Sequence, residues 1–498
     1  MKKIAILLLI AILLIVYTYP VVSFAAEKSI QKEIIYEVMV DRFNNGDQAF
    51  SDEVRIDDPY AYHGGDLEGI KLKLDDLKDL GYTTISLSPI MENAPDGYHG
   101  YWIEDFYSVE EEFGTMEDLH ELVEEAHKRD MKVMLELVTN YVAESHPIVG
   151  DPEKEDWLID KADANVVNAE WFENVAVLNQ ENPDVQNMLL DIAKYWMNEG
   201  NVDGFILHAA DKASVGFMGT MTAELKKENS DFYIVADVVN NASEELVDIS
   251  TIDAVENQEL SKAMADVFIN VNNPVEDIYQ AWKSNENKEG LIYLDNRTVE
   301  RFTQRAAENG RNAVTTWQLA LTYMLTSPGV VSIFQGSDIP MYGSGIEEAQ
   351  RLVDFNSGEE ELEEVYSKVL ALRTEFPVLQ YGDFELVGSD EGMSVFKRSY
   401  QDETMYIAIN NDSVSRAVSI TDLDSNVQLR GLLGDNLVRQ LENGDYKIGL
   451  ARETADVFVI EEDTGINWGF IAPIVVVFLL FIAGVIYLSR KQKKREGK

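Results

Sequence analysis

The sequence predicts an α/β protein built on a (β/α)8 TIM barrel and followed by an antiparallel β-sandwich. Two patterns predict it. From residue 34 onward, short β-branched apolar runs alternate with longer amphipathic stretches eight times over about 350 residues. That rhythm suits a closed barrel with insertions better than an open doubly wound sheet. After residue 377 the amphipathic stretches stop and short alternating runs take over. A chain of 498 residues has room for both parts.

The elements follow in order. Lys2 and Lys3 precede the apolar run 4–16, and Ser23-Phe24-Ala25 places small residues before Ala26. Residues 1–25 therefore read as a signal peptide; the run is slightly long, so an uncleaved N-terminal anchor is the other reading. Barrel strands are expected at 34–40, 83–89, 132–138, 202–208, 232–238, 254–257, 291–296 and 330–336, the sixth on the weakest pattern. Most are apolar almost throughout, as strands buried on both faces must be. Helices are expected at 67–80, 116–129, 183–199, 313–325 and 359–374. Asn182-Pro183 opens one of them, and Gly81, Gly200 and Gly329 stand at helix ends.

Residues 140–182 are too long for a plain loop, so a small subdomain is expected there, inserted after strand three in a barrel domain of 26–380. Residues 381–462 form the expected sandwich, with strands at 384–387, 394–398, 405–410, 417–420 and 456–460. The run 468–488 carries no charge, and a helix of that length rises about 30 Å, the thickness of a hydrocarbon core. Arg490, Lys491, Lys493, Lys494 and Arg495 follow, which marks 489–498 as a basic cytoplasmic tail. The expectation is a cell-membrane protein crossing once, with its large domain outside.

Charge supports that division. Residues 1–25 carry +2 and 468–498 carry +5, so the total of −48 leaves −55 for residues 26–467. Such a surface repels nucleic acid and anionic lipid headgroups. It favours neutral or cationic partners, although the acidity reads first as the mark of a saline or alkaline habitat. There is no cysteine, so disulfides and thiolate metal sites are excluded.

Several motifs carry a resemblance. They are the run Ile35-Tyr36-Glu37-Val38-Met39-Val40-Asp41-Arg42-Phe43-Asn44, then His63-Gly64-Gly65-Asp66-Leu67, then Gly97-Tyr98-His99-Gly100-Tyr101-Trp102. They continue through Leu178-Asn179-Gln180-Glu181-Asn182-Pro183, Val202-Asp203-Gly204-Phe205 and Leu294-Asp295-Asn296 to Arg301-Phe302. Together these resemble the α-amylase family of glycoside hydrolases over roughly residues 34–460. The resemblance implies barrel, inserted domain and sandwich, and α-glucans or maltodextrins as the substrate class.

It also implies a retaining reaction with a carboxylate nucleophile, a carboxyl acid about 5 Å away and an ionised third group. All three positions are altered. The nucleophile position is His208, the acid position is Asp237 where the family has glutamate, and the third position is Thr298. An imidazole cannot stabilise an oxocarbenium ion as a carboxylate does. Asp237 is one methylene short, and Thr298 has no charge. The family's arginine before the nucleophile is Ile206, its histidine after Asn140 is Tyr141, and its strand-three aspartate is Glu136. The expected protein is a degenerate, non-catalytic member that binds α-glucan or a protein partner. The alternatives are an active hydrolase or transglycosylase with an altered site, and a structural ectodomain of a membrane transport complex.

Sugar-facing residues implied by the resemblance are Tyr101, His99, Tyr141 and Arg297; the run 98–102 also reads as packing in the barrel mouth. His208 reads either as a hydrogen-bonded rim residue or as part of a new site with Asp237, Glu136 and Asp295. An interdomain Ca2+ site is expected to be lost, since Val177 and Lys212 replace its aspartate and histidine beside Asn140. The Lys212 ammonium either fills the lost cation's space or is solvated. A second Ca2+ loop is expected around Asn45, Asp47, Gly64 and Asp66, residues that are equally ordinary turn formers.

Overall fold

The computed structural model describes residues 29–47, 54–161, 174–240, 242–463, 465 and 468–496. The expected signal peptide lies outside them. Eight parallel strands form the barrel: β1 (Ile34–Val38), β2 (Thr84–Leu87), β3 (Lys132–Leu137), β4 (Gly204–Leu207), β5 (Tyr233–Ala236), β6 (Ala254–Val255), β7 (Leu291–Ile292) and β8 (Val330–Phe334). Neighbours pair in sequence order. β8 returns to β1 through Ile34 opposite Val331, and a parallel bridge from Glu256 to Leu291 joins β6 to β7. The sheet is therefore closed. Gly204 shows how tight the wall is: a Cβ there would lie 2.6 Å from the Tyr233 carbonyl oxygen of β5.

The strands are apolar because helices cover them outside and side chains fill the bore. Ile35, Met134, Val235, Leu291 and Val330 form one inner cluster. Helices Met116–His127, Pro183–Asn198 and Ala313–Thr326 bury their apolar stripes on the outside. Asn182 caps the second with Pro183 in its first turn, as its sequence suggested. The single helix expected over 67–80 is two, Leu67–Lys71 and Leu74–Leu80, because the chain breaks at Leu72-Lys73. After β3, the pieces Tyr141–Ala143, Leu158–Ile159 and Val175–Leu178 make a small three-stranded sheet.

The C-terminal part has eight antiparallel strands: β9 (Asp383–Asp390), β10 (Met393–Tyr400), β11 (Glu403–Asn410), β12 (Arg416–Ile420), β13 (Val427–Gly431), β14 (Leu437–Arg439), β15 (Tyr446–Leu450) and β16 (Thr454–Glu462). Six make one sheet, and β12 pairs with β15 in a second. Val395, Tyr406, Ile420, Tyr446 and Phe458 fill the space between them. This is the expected sandwich, with three strands more than its sequence pattern revealed.

A final helix runs from Trp468 to Glu496. The structure does not support the membrane span expected at 468–488. Among the described residues no helix is long and apolar enough to cross a membrane.

Candidate functional site

In a parallel barrel the side chains at the C-terminal strand ends converge on one opening. Here β1 supplies Glu37 and β3 supplies Glu136. His208, Asp237 and Glu256 stand one residue past β4, β5 and β6, and Arg297 comes from the loop after β7. These six residues line a common cavity of about 670 Å3. Ile35, Val235 and Leu291 form its apolar floor, and Gln258, Glu259, Asn296 and Thr298 lie on its walls.

Ion pairs organise the opening. His208 Nδ1 lies 2.8 Å from Glu136 Oε1 and 3.4 Å from Asp237 Oδ2. The Arg297 guanidinium reaches Glu37 at 3.0 Å, Glu136 at 2.7 Å and Asp237 at 3.6 Å. The Tyr101 hydroxyl donates to Glu136 Oε1 at 3.0 Å, and the Ala209 N–H donates to Asp237 Oδ1. Ala209 takes a left-handed φ of 47°, which aims that N–H at Asp237. Asn140 braces the turn by donating to the His208 and Ala209 carbonyls. The Tyr101 and His208 rings lie 4.6 Å apart.

The protonation states follow. Burial opposes the His208 imidazolium, but Asp237 and Glu136 outweigh it and hold the ring protonated up to about 9. Burial would raise Asp237, yet His208 and Arg297 keep it below the usual aspartate range. Glu37 is pushed up to about 7 by burial, against Arg297 and with help from Glu136 and Asp237. Burial and then Asp237 push Glu256 up to about 8. A protonated imidazole and a guanidinium thus sit among carboxyls that carry more potential negative charge than those two cations can match.

The expected site residues divide. His208 and Asp237 meet, and Glu136 joins them. Thr298 does not: its N–H and hydroxyl both donate to Asn296 Oδ1 at 2.8 Å, and it is exposed. Asp295 is turned away, accepting from the Phe302 N–H and the Ser337 hydroxyl. Tyr101, His99 and Tyr141 are buried behind His208 and do not line the cavity. His99 Nδ1 accepts from the Tyr101 N–H, and burial pushes its ring down to about 3, so it is neutral. Arg297 does line the cavity, but its guanidinium is spread over three carboxylates.

Sequence reasoning missed Glu37 and Glu256 as members of the site. The signal was there: each is a carboxylate at the end of an apolar barrel strand.

Neither expected calcium position has a free set of oxygen donors among the described residues. At the interdomain position the residues do not fit: the Asn140 side-chain oxygen accepts from Gln180 Nε2, Val177 is buried and apolar, and Lys212 pairs with Asp211 at 3.1 Å. Asn45, Asp47, Gly64 and Asp66 do lie together, but both Asp66 oxygens accept backbone N–H groups, from Gly46, Asp47 and Gly69. That carboxylate caps the helix Leu67–Lys71.

Comparison with known proteins agrees with this architecture. Residues 37–377 match the family described as alpha amylase, catalytic domain, and residues 382–458 match the alpha-amylase C-terminal domain. The chain is 29% identical over 457 residues to a beta/alpha-amylase of Paenibacillus polymyxa, covering 86% of this chain but only 38% of that protein. It is 26% identical over 421 residues to a cyclomaltodextrinase of Thermoanaerobacter pseudethanolicus, covering 78% of this chain and 72% of that one. Among solved structures, an Anoxybacillus alpha-amylase superposes with a TM-score of 0.83 at 41% identity, over 88% of this chain and all of that one. An alpha-amylase from Geobacillus thermoleovorans, complexed with acarbose, gives 0.82 at 39% identity over the same shares.

Proposed function

The chain belongs to the alpha-amylase family, and from that premise we propose that it binds α-glucans at the barrel mouth without hydrolysing them. The observation that carries this reading is the set of internal ion pairs: His208 and Arg297 occupy the space between the carboxylates with their own positive charges.

Retaining hydrolysis needs one free carboxylate to attack the anomeric carbon and a protonated carboxyl, about 5 Å away, to protonate the leaving oxygen. The ligating atoms of Glu136, His208 and Asp237 all lie within 4.8 Å of one another, so the carboxyl separation alone does not forbid the reaction. The occupancy does. His208 stands between the two acids, and Arg297 holds the other oxygen of Glu136. Asp237 is kept ionised by His208 and has no proton to give as a general acid. Thr298 supplies no charge, and its hydroxyl is tied to Asn296.

Binding is supported by the family and by the cavity, whose side chains Gln258, Glu259, Asn296 and Thr298 suit sugar hydroxyls beside an apolar floor. The same proposal places the domain outside the cell, tethered by 468–488. Its support is the uncharged run with its basic flank and the outward-facing Val476, Phe478 and Leu480. Retention in carbonate-washed membranes, lost on truncation after residue 467, is the expected result; a chain that washes off defeats the tether.

The test of function uses the full chain in mild detergent, with maltoheptaose and amylopectin. Calorimetry is expected to register binding, while product analysis finds no oligosaccharide release. Turnover at ordinary rates of about 1–1,000 per second would overturn the non-catalytic reading. Neither binding nor turnover would overturn glucan capture in favour of a protein partner.

A further inference from the structure

We propose that Glu136, His208 and Asp237 form a site for one divalent first-row transition-metal ion of the zinc, manganese or cobalt kind. Each offers one ligand atom, and the three atoms lie within 4.8 Å of one another. The group is not an exposed acidic patch: the Glu136 and His208 side chains are 1% and 8% exposed. All three line the 670 Å3 cavity, so an ion has a path in from solvent.

The charges favour a cation. Above about pH 7, where Glu37 is ionised as well, Glu37, Glu136 and Asp237 together face one guanidinium, that of Arg297, which leaves two negative charges over when His208 is neutral, as a ligand imidazole must be. A proton on His208 balances one of these charges; a divalent ion balances both. In the binding step the proton on Nδ1 leaves to solvent. The Nδ1 lone pair and one oxygen each from Glu136 and Asp237 then bind the ion, with no change of oxidation state.

Outer partners are already in place to orient the ligands. The Tyr101 hydroxyl and Arg297 hold Glu136, one on each oxygen, and the Ala209 N–H holds Asp237 Oδ1, which leaves Oδ2 turned toward His208. One imidazole nitrogen with two carboxylate oxygens suits zinc, manganese or cobalt, whereas calcium wants six to eight oxygens. Three protein ligands facing a cavity leave positions open for water or a ligand oxygen, the pattern of catalytic rather than structural metal sites.

The experiment uses the full chain in mild detergent, stripped with a chelator and titrated in moderate salt with Co2+ and then Zn2+. One tight ion per chain is expected, with a visible Co2+ absorption band that Zn2+ abolishes. Asp237→Asn and His208→Gln, the latter keeping a hydrogen-bond donor toward Glu136, are each expected to weaken binding by about 100-fold or more. The exposed Glu153→Gln leaves it unchanged. Thermal unfolding of the stripped variants verifies that they fold. Absence of the band and of zinc binding up to millimolar ion would overturn the proposal. Equal binding by His208→Gln, Asp237→Asn and the unaltered chain would overturn it too, because the ion would then sit elsewhere on the acidic surface.

Discussion

Arg297 at the mouth of the barrel and Arg373 at its floor are both buried, but they have opposite company. Arg297 faces Glu37, Glu136 and Asp237, and Glu136 above all holds its guanidinium charged against burial. Arg373 has no carboxylate within ion-pair distance among the described residues. Its guanidinium donates instead to the backbone carbonyls of Gln31, Leu325, Ser327, Gly329 and Leu379. Those carbonyls come from the approach to β1, the end of helix Ala313–Thr326, the turn into β8 and the link to the sandwich. Arg398, on β10, repeats the device by donating to the carbonyls of Thr326 and Gly382. A cation held by carbonyls satisfies backbone that has no other partner, so it fixes architecture. A cation held by carboxylates sits in an electrostatic balance that a proton, an ion or a ligand can shift.

The largest expected effect therefore lies at the floor. Arg373→Ala leaves several buried carbonyls without a donor and opens a cavity, a loss of about 3–5 kcal/mol. Denaturant unfolding should register that loss at every pH from 5 to 9, since no carboxylate lies within ion-pair distance of the guanidinium among the described residues and Tyr381, which acts on it, is a phenol that titrates above that range. A loss under about 1 kcal/mol would mean that the seam is not held as described.

At the mouth the effect should depend on pH. Glu37, Glu256 and His208 all bind their protons more tightly folded than unfolded, with folded values of about 7, 8 and 9. The unfolded chain then holds fewer protons than the native one, so stability falls as pH rises. The glutamate part is lost between about 4.5 and 8, and the His208 part is full below about 6.5 and gone above about 9. A decline on the order of a few kcal/mol between pH 5 and 9 is expected. In His208→Gln the fall above pH 6.5 should become shallower. Stability that rises across that range would contradict the ion-pair network, whereas the floor would be untouched.

The same contrast explains what could be read without a structure. The barrel strands were legible because burial on both faces leaves an apolar run that few other elements share. The strands β13, β14 and β15 were not, because they are only five, three and five residues long and are separated by turns rich in Asp and Asn. The altered catalytic positions were found by comparing motifs, which directs attention only to residues the family uses. Glu37 and Glu256 escaped for that reason, although a carboxylate at the end of an apolar strand invites a question. Arg297 was read as a sugar contact because its partners are invisible along the chain. Glu37 is 260 residues away, and only closure of the barrel brings the two to 3.0 Å.

The smallest effect should come from the most obvious repair. Restoring the family's acids with His208→Asp, Asp237→Glu and Thr298→Asp places three carboxyls where the reaction needs them. It also removes the imidazolium and crowds additional negative charge around Arg297, which still lies on Glu37 and Glu136. The guanidinium is then held more firmly, and Ile206 and Tyr141 are unchanged. Maltoheptaose turnover should therefore stay at the background of the unaltered chain. Adding Arg297→His, which removes the guanidinium from Glu37 and Glu136, should raise it above the triple variant. Turnover by the triple variant alone would show that Arg297 is no obstacle, and would place the block entirely in the three exchanged side chains.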